Sequence, residues 1–105
     1  MPTRLVAFLG LAVLAACGPV QSTAYLIDAD VQLEAARTAQ ADKLSPYEWT
    51  SAQLYLHKAR EEVGYSDFEQ GVAYAQKASK FAAAARESAM KSVRRDELTP
   101  SSPSP

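Results

Sequence analysis

From Ser22 to Glu97 the chain contains a single proline, Pro46, and only two glycines, Gly64 and Gly71. Proline removes a backbone donor and glycine costs about 1 kcal/mol against alanine inside a helix, so their scarcity leaves long stretches free to coil. The residues between them are mostly Ala, Leu, Glu, Gln, Lys and Arg, all good helix formers. The alternation of apolar and polar residues that a half-buried strand needs is missing. The chain is therefore expected to be all-α.

The same breakers divide the stretch into three helices. The first runs from about Ser22 to Lys43. Leu26, Ala29, Leu33, Ala36 and Gln40 recur there at spacings of three and four, with Ile27, Val31 and Ala35 alongside, and make one amphipathic face. Ser45-Pro46-Tyr47-Glu48 opens the second helix. Ser45 suits the N-cap, Pro46 the first helical position, and Glu48 completes a capping box. Trp49, Ala52, Leu56, Ala59 and Val63 form its inner stripe, and Gly64 takes the C′ role that ends it. Ser66-Asp67-Phe68-Glu69, a second Ser-x-x-Glu box, opens the third helix. This helix runs to about Arg95, with Phe68, Val72, Ala75, Ala78, Ala82, Ala85, Ala89 and Val93 along its inner side. Short connections make consecutive helices antiparallel neighbours. The product is a small up-down-up three-helix bundle over residues 22–96. At 1.5 Å per residue its third helix is about 42 Å long and its second about 27 Å, so the third projects. Residues 97–105 are Pro/Ser-rich and are expected to form a disordered tail.

The N-terminus has a different character. Met1-Pro2-Thr3-Arg4 is a short basic start, Leu5 to Leu14 is an unbroken apolar run, and Ala15-Ala16-Cys17-Gly18 follows. A basic region, a short apolar region and small residues form the order of a secretory signal. Leu5 to Cys17 would span about 20 Å as a helix, short of the roughly 30 Å hydrocarbon core of a bilayer. The segment Leu14-Ala15-Ala16-Cys17 resembles the lipobox of bacterial lipoproteins. That resemblance implies that the Cys17 thiol is alkylated by a diacylglyceryl group, that the chain is cut before Cys17, and that the new amine is acylated. It divides the chain into a signal peptide at 1–16 and a lipidated tether at 17–21 ahead of the helical domain. Several acyl chains on one residue give stable anchoring, at about 0.8 kcal/mol for each buried methylene. The residue after the cysteine is Gly18 rather than Asp. By the same resemblance this implies the outer membrane rather than the inner, on the periplasmic side.

Composition removes several classes of function. The chain has 105 residues, room for one domain at most. Lys plus Arg is 11 and Asp plus Glu is 12, a formal net charge of -1, which offers no basic face for nucleic acid. One cysteine allows no internal disulfide, and one histidine allows no Cys/His metal cluster. No metal or cofactor is expected. His57 lacks the nucleophile and orienting acid that a catalytic histidine needs, and reads as an exposed surface residue. Glu61-Glu62 and the Asp28/Asp30 pair read as solvated charges, since a thin bundle has no deep cleft in which two carboxylates could work on a glycosidic bond. An enzyme is not expected.

Ala36 to Ala89 resembles a family of bacterial lipoproteins of unknown function that carry a short Ala-rich helical domain, often beside or fused to an OmpA-like peptidoglycan-binding domain. The residues that carry this are Pro46, Glu48, Ala52, Leu56 and Ala59, followed by Tyr65, Phe68, Ala75, Ala78 and Ala82. The 105 residues include no OmpA-like domain, so attachment to the cell wall would need a partner, for which an OmpA-like protein is a candidate, or be absent. The second and third helices also resemble a tetratricopeptide hairpin, although a single such unit does not bury its own faces. Seven aromatic residues, Tyr47, Trp49, Tyr55, Tyr65, Phe68, Tyr74 and Phe81, lie in this region. Trp49, Phe68 and Phe81 are assigned to the core. Tyr47, Tyr55, Tyr65 and Tyr74 are candidate partner contacts. The expected function is that of a lipid-anchored, non-catalytic helical interaction or adaptor module in the periplasm, meeting an envelope protein or a second copy of itself. The alternatives are an envelope spacer, an accessory factor of cell-wall metabolism and a small lipoprotein toxin.

Overall fold

The computed structural model describes residues 2–99, with the side chains of residues 14–17 outside the description. It is all-α. Among the described residues four helices follow one another: α1 (Pro2–Thr38), α2 (Ala41–Leu44), α3 (Pro46–Gly64) and α4 (Phe68–Leu98). No strand occurs among the described residues.

The first expected helix is divided in two. Gln40 adopts a left-handed conformation, φ 61° and ψ 31°, and its N–H donates to the Arg37 carbonyl. This reversal separates α1 from the single turn of α2. Residues 17–21, expected to be a tether, continue α1 as helix. Pro19 lies inside that helix, where it has no N–H for the carbonyl of residue 15. Its own carbonyl accepts the hydroxyls of Ser22 at 3.0 Å and Thr23 at 2.8 Å. At the other end α4 continues through Leu98 into the expected tail, of which residues 100–105 lie outside the described residues.

The order of contacts along the helices gives their directions. Gly18 lies against Phe68 and Asp28 bonds Ser79, so α1 and α4 run parallel. Asp30 meets Arg60 and Arg37 lies over Trp49, so α1 and α3 run antiparallel. Tyr47 meets Phe81 and Tyr55 meets Tyr74, so α3 and α4 are also antiparallel.

All three long helices pack on seams in which spacings of three and four alternate. Gly71, Ala75, Ala78, Ala82, Ala85 and Ala89 are the buried residues of α4, and every one is small. Trp49, Ala52, Leu56 and Ala59 are the buried residues of α3, with Val63 half-buried next in the series. On α1, Ser22, Ala29 and Ala36 are buried and Leu26 and Leu33 between them are half-buried. Such alternation is the 3.5-residue repeat of helices crossing at a shallow angle. Large side chains on α1 and α3 therefore face a smooth α4. One cluster joins Ala36, Ala41, Trp49, Ala85 and Ala89, with Leu33 and Leu44 packed on it. A second joins Ala29, Leu56 and Ala78, with Leu26, Leu33 and Tyr55. Ile27 and Val31, expected on the inner face of the first helix, are instead 58% and 60% exposed. They fall between the seam positions, and a thin bundle buries only a narrow stripe. Val93, also expected inside, is exposed because α4 runs on past its partners.

The helix ends also differ from the sequence expectation. At the end of α3 it is Ser66, not Gly64, that takes the left-handed C′ position, with φ 65°. The Ser66 N–H donates to the Val63 carbonyl and the Asp67 N–H to the Glu62 carbonyl, the paired bonds of a Schellman ending. Ser66 is thus unavailable as an N-cap, and Asp67 caps α4 by accepting the Gln70 N–H at 3.2 Å. At the start of α3 the capping box is rearranged. The Ser45 N–H is taken by the Ala41 carbonyl, so the Glu48 carboxylate bonds the Ser45 hydroxyl instead, at 2.5 Å. That bond, followed by one from its own backbone N–H, holds the Glu48 carboxyl below its ordinary value of 4.5.

Two outcomes follow from this packing. A Cβ on Gly71 would come within 2.5 Å of Val63 Cγ2, so α3 and α4 cross at a point that admits no side chain. Gly71→Leu should lose about 2 kcal/mol of stability, read as a lower midpoint in urea unfolding. An unchanged midpoint would show that the helices do not cross there. The depressed Glu48 pKa favours the folded state above its ordinary value, and this contribution is lost as pH falls through the lowered folded value. Ser45→Ala should therefore make the loss of thermal stability below pH 4.5 shallower than in the parent chain.

Candidate functional site

Two regions of the molecule lie outside the packed seams. One is the N-terminal part of α1. Leu5, Val6, Phe8, Leu9 and Leu11 are between 67% and 75% exposed. The helix contains an 18-residue window of mean hydropathy 1.9, of which only 7% is buried. Burying such side chains is worth roughly 1.5–3 kcal/mol each, so a bare helix of this composition is suited to an apolar medium. Cys17, the residue expected to carry lipid, continues this helix in the backbone, while its side chain lies outside the described residues. The next residue, Gly18, packs on the Phe68 ring: a Cβ there would stand 3.1 Å from Phe68 Cδ2.

The other region is a row of aromatic rings on the face where α3 and α4 meet. Tyr47 meets Phe81 edge-on, with centroids 6.3 Å apart and planes at 78°. Phe81 stacks on Tyr55 at 5.5 Å and 9°, and Tyr55 stacks on Tyr74 at 5.9 Å and 29°. Lys77 Nζ lies 5.4 Å from the Tyr55 ring centre and Lys58 Nζ 6.0 Å from that of Tyr74. Exposed cation–π contacts of this kind contribute about 0.5–1 kcal/mol each. The row arises because Tyr55 on α3 and Tyr74 and Phe81 on α4 each stand one residue before a buried seam position, with Tyr47, two residues before Trp49, at its exposed end.

Three of the four tyrosines singled out in the sequence are thus brought into one row, linked by Phe81. Tyr65 is not among them; it sits in the α3–α4 turn and is 77% exposed. Phe81 was assigned to the core and is half-buried at the centre of the row. Lys58 and Lys77 were missed. Each stands three residues beyond a tyrosine of its own helix, but the ring it covers belongs to the other helix, so only the pairing of α3 with α4 reveals the contact.

The carboxylates read as solvated charges include two that tie helices together. Asp28 accepts the Ser79 hydroxyl at 3.0 Å, joining α1 to α4. Asp30 pairs with Arg60 at 2.6 Å, joining α1 to α3. His57 is exposed on α3. No group of three or more His, Cys, Asp or Glu comes together to hold a metal among the described residues.

Phe81 is the ring on which the row depends. Phe81→Ala should cost about 1–2 kcal/mol from two lost ring contacts and reduce the near-ultraviolet circular dichroism of the tyrosines. Tyr47→Ala, at the exposed end, should cost less than half as much in the same thermal unfolding assay.

No protein-family model, curated protein or solved structure matches this chain.

Proposed function

We propose that the protein is a lipid-anchored, non-catalytic lipoprotein of the bacterial envelope. Its helices form a slim up-down-up bundle that serves as an interaction module on the periplasmic side of the outer membrane. The observation that carries this reading is the bare apolar helix leading directly into Leu14-Ala15-Ala16-Cys17. A segment of that composition seeks lipid, and the small residues before the lone cysteine match what a lipoprotein peptidase and a lipid-transferring enzyme require. Gly18 in place of Asp supports the outer membrane.

The aromatic row supports the interaction role. Half-buried rings flanked by lysines offer a rigid surface with both apolar area and positive charge, suited to a helix or extended peptide of an envelope protein. An OmpA-like protein is the partner that the Ala-rich lipoprotein resemblance favours. In this reading α3 and α4 act as a single tetratricopeptide-like hairpin completed by α1, rather than as one unit of an array.

Growth with radiolabelled palmitate tests the anchor. The parent chain should incorporate label and, by intact mass, lack residues 1–16 while carrying acyl chains on residue 17. Cys17→Ala should carry no label and retain the N-terminal segment. A parent chain that is unlabelled and uncut would refute the reading.

A further inference from the structure

We propose that the α3–α4 turn, with Tyr65 at its tip and Phe68 at its edge, is the foot of the bundle and rests in the zwitterionic headgroup layer of the membrane. This rests on the lipid anchor at Cys17 and adds an orientation that anchoring alone does not give.

The argument begins at Gly18. A flexible tether would let the domain drift, but residues 17–21 are helical and Gly18 is pressed against Phe68, the first residue of α4. Ser22, one turn further on, is fully buried and fixed to the Pro19 carbonyl. The residue that receives lipid is therefore within about one helical turn, roughly 5 Å, of the level of Phe68. Because α3 descends into the turn and α4 rises from it, this turn is the end of the bundle from which the apolar part of α1 projects. Tyr65 there is 77% exposed, and a groove at the Gly18–Phe68 contact is lined also by Gln21, Glu69 and Val72. Tyrosine with one apolar face and one polar tip is suited to the boundary between headgroups and acyl chains.

Charge selects the lipid. Glu61, Glu62, Asp67 and Glu69 lie around the turn, and no Lys or Arg occurs from Glu61 to Gln76. Such a foot is repelled by an anionic surface and accepted by headgroups that bear an ammonium, as in phosphatidylethanolamine. The aromatic row and Trp49 then stand away from the membrane, Trp49 by about 24 Å along α3.

Trp49 is the chain's only tryptophan and supplies the distal reference. The lipidated, processed protein and its Tyr65→Trp variant are reconstituted in phosphatidylethanolamine/phosphatidylcholine vesicles whose acyl chains are brominated near the headgroup. Both should float with the vesicles. The added emission of Tyr65→Trp should be blue-shifted and largely quenched, while Trp49 keeps its intensity. An insert of about ten Gly and Ser residues after Gly18, with a reach of roughly 17 Å, should abolish that quenching without abolishing flotation. Vesicles rich in phosphatidylglycerol should quench less. Flotation without selective quenching at position 65 would overturn the orientation while leaving the anchor intact. Equal quenching of both tryptophans would show a bundle lying flat, and equal or stronger quenching on anionic vesicles would overturn the choice of headgroup. Failure to float would overturn the anchor and the orientation together.

Discussion

The packing rests on the absence of side-chain bulk along one helix. From Gly71 to Ala89 the inner seam of α4 carries nothing larger than a methyl group. This lets α1 and α3 approach α4 closely and lets Leu26, Leu33, Trp49 and Leu56 fill the space between helices without competing for it. Alanine loses no side-chain rotamers on burial, so the seam is ordered at little entropic cost. The tightest point is Gly71, where Val63 occupies the place a Cβ would take. With the large apolar residues of the seams supplied by α1 and α3 but not α4, the packed layer stays thin, and the molecule extends over 89 × 22 × 14 Å.

That thinness decides where the other side chains go. A narrow buried stripe leaves the flanks of each helix half-covered, and the α3–α4 flank collects the aromatic row. Its inner members, Phe81 and Tyr55, brace α3 against α4, and its outer member Tyr47 is left to solvent. The polar ties Asp28–Ser79 and Asp30–Arg60 do similar work on the flanks of α1. Being exposed, they contribute register more than energy. The N-terminal part of α1 lies beyond these contacts altogether.

Much of this was legible in the residue spacing. The α4 seam from Ala75 to Ala89 and the Trp49-Ala52-Leu56-Ala59 stripe are legible because alternating intervals of three and four have one geometric solution, whereas the spacing gives no sign of Gly71 at the start of the seam and carries it too far, to Val93. The face of α1 was only half legible. Leu26 and Ala29 compete with Ile27 and Val31 for the same helix, and only the contact with α4 decides between them. The break at Gln40 carries no local signal, since neither proline nor glycine stands there. It is imposed by the need to return the chain along α1. The turn at Ser66 misled for a related reason: Gly64 is the residue best able to adopt a left-handed conformation, but hydrogen bonding places that demand two residues later. Phe81 was misassigned because spacing distinguishes buried from exposed faces and not the boundary between them.

Pro19 sets the strength of the helix around it. In the full chain it interrupts the hydrogen-bond ladder of α1 and leaves the carbonyl of residue 15 without its usual donor, close to the bond before Cys17. An interior proline weakens a helix by about 3 kcal/mol, yet the same residue in a first turn costs almost nothing, because donors there have no partner anyway. Were the leader removed before Cys17, the flaw in the longer chain would become a well-formed beginning for the shorter one. The helix of such a product would be sounder than that of the longer chain, and on the proposed reading removal of the leader would tighten the end at which lipid is attached.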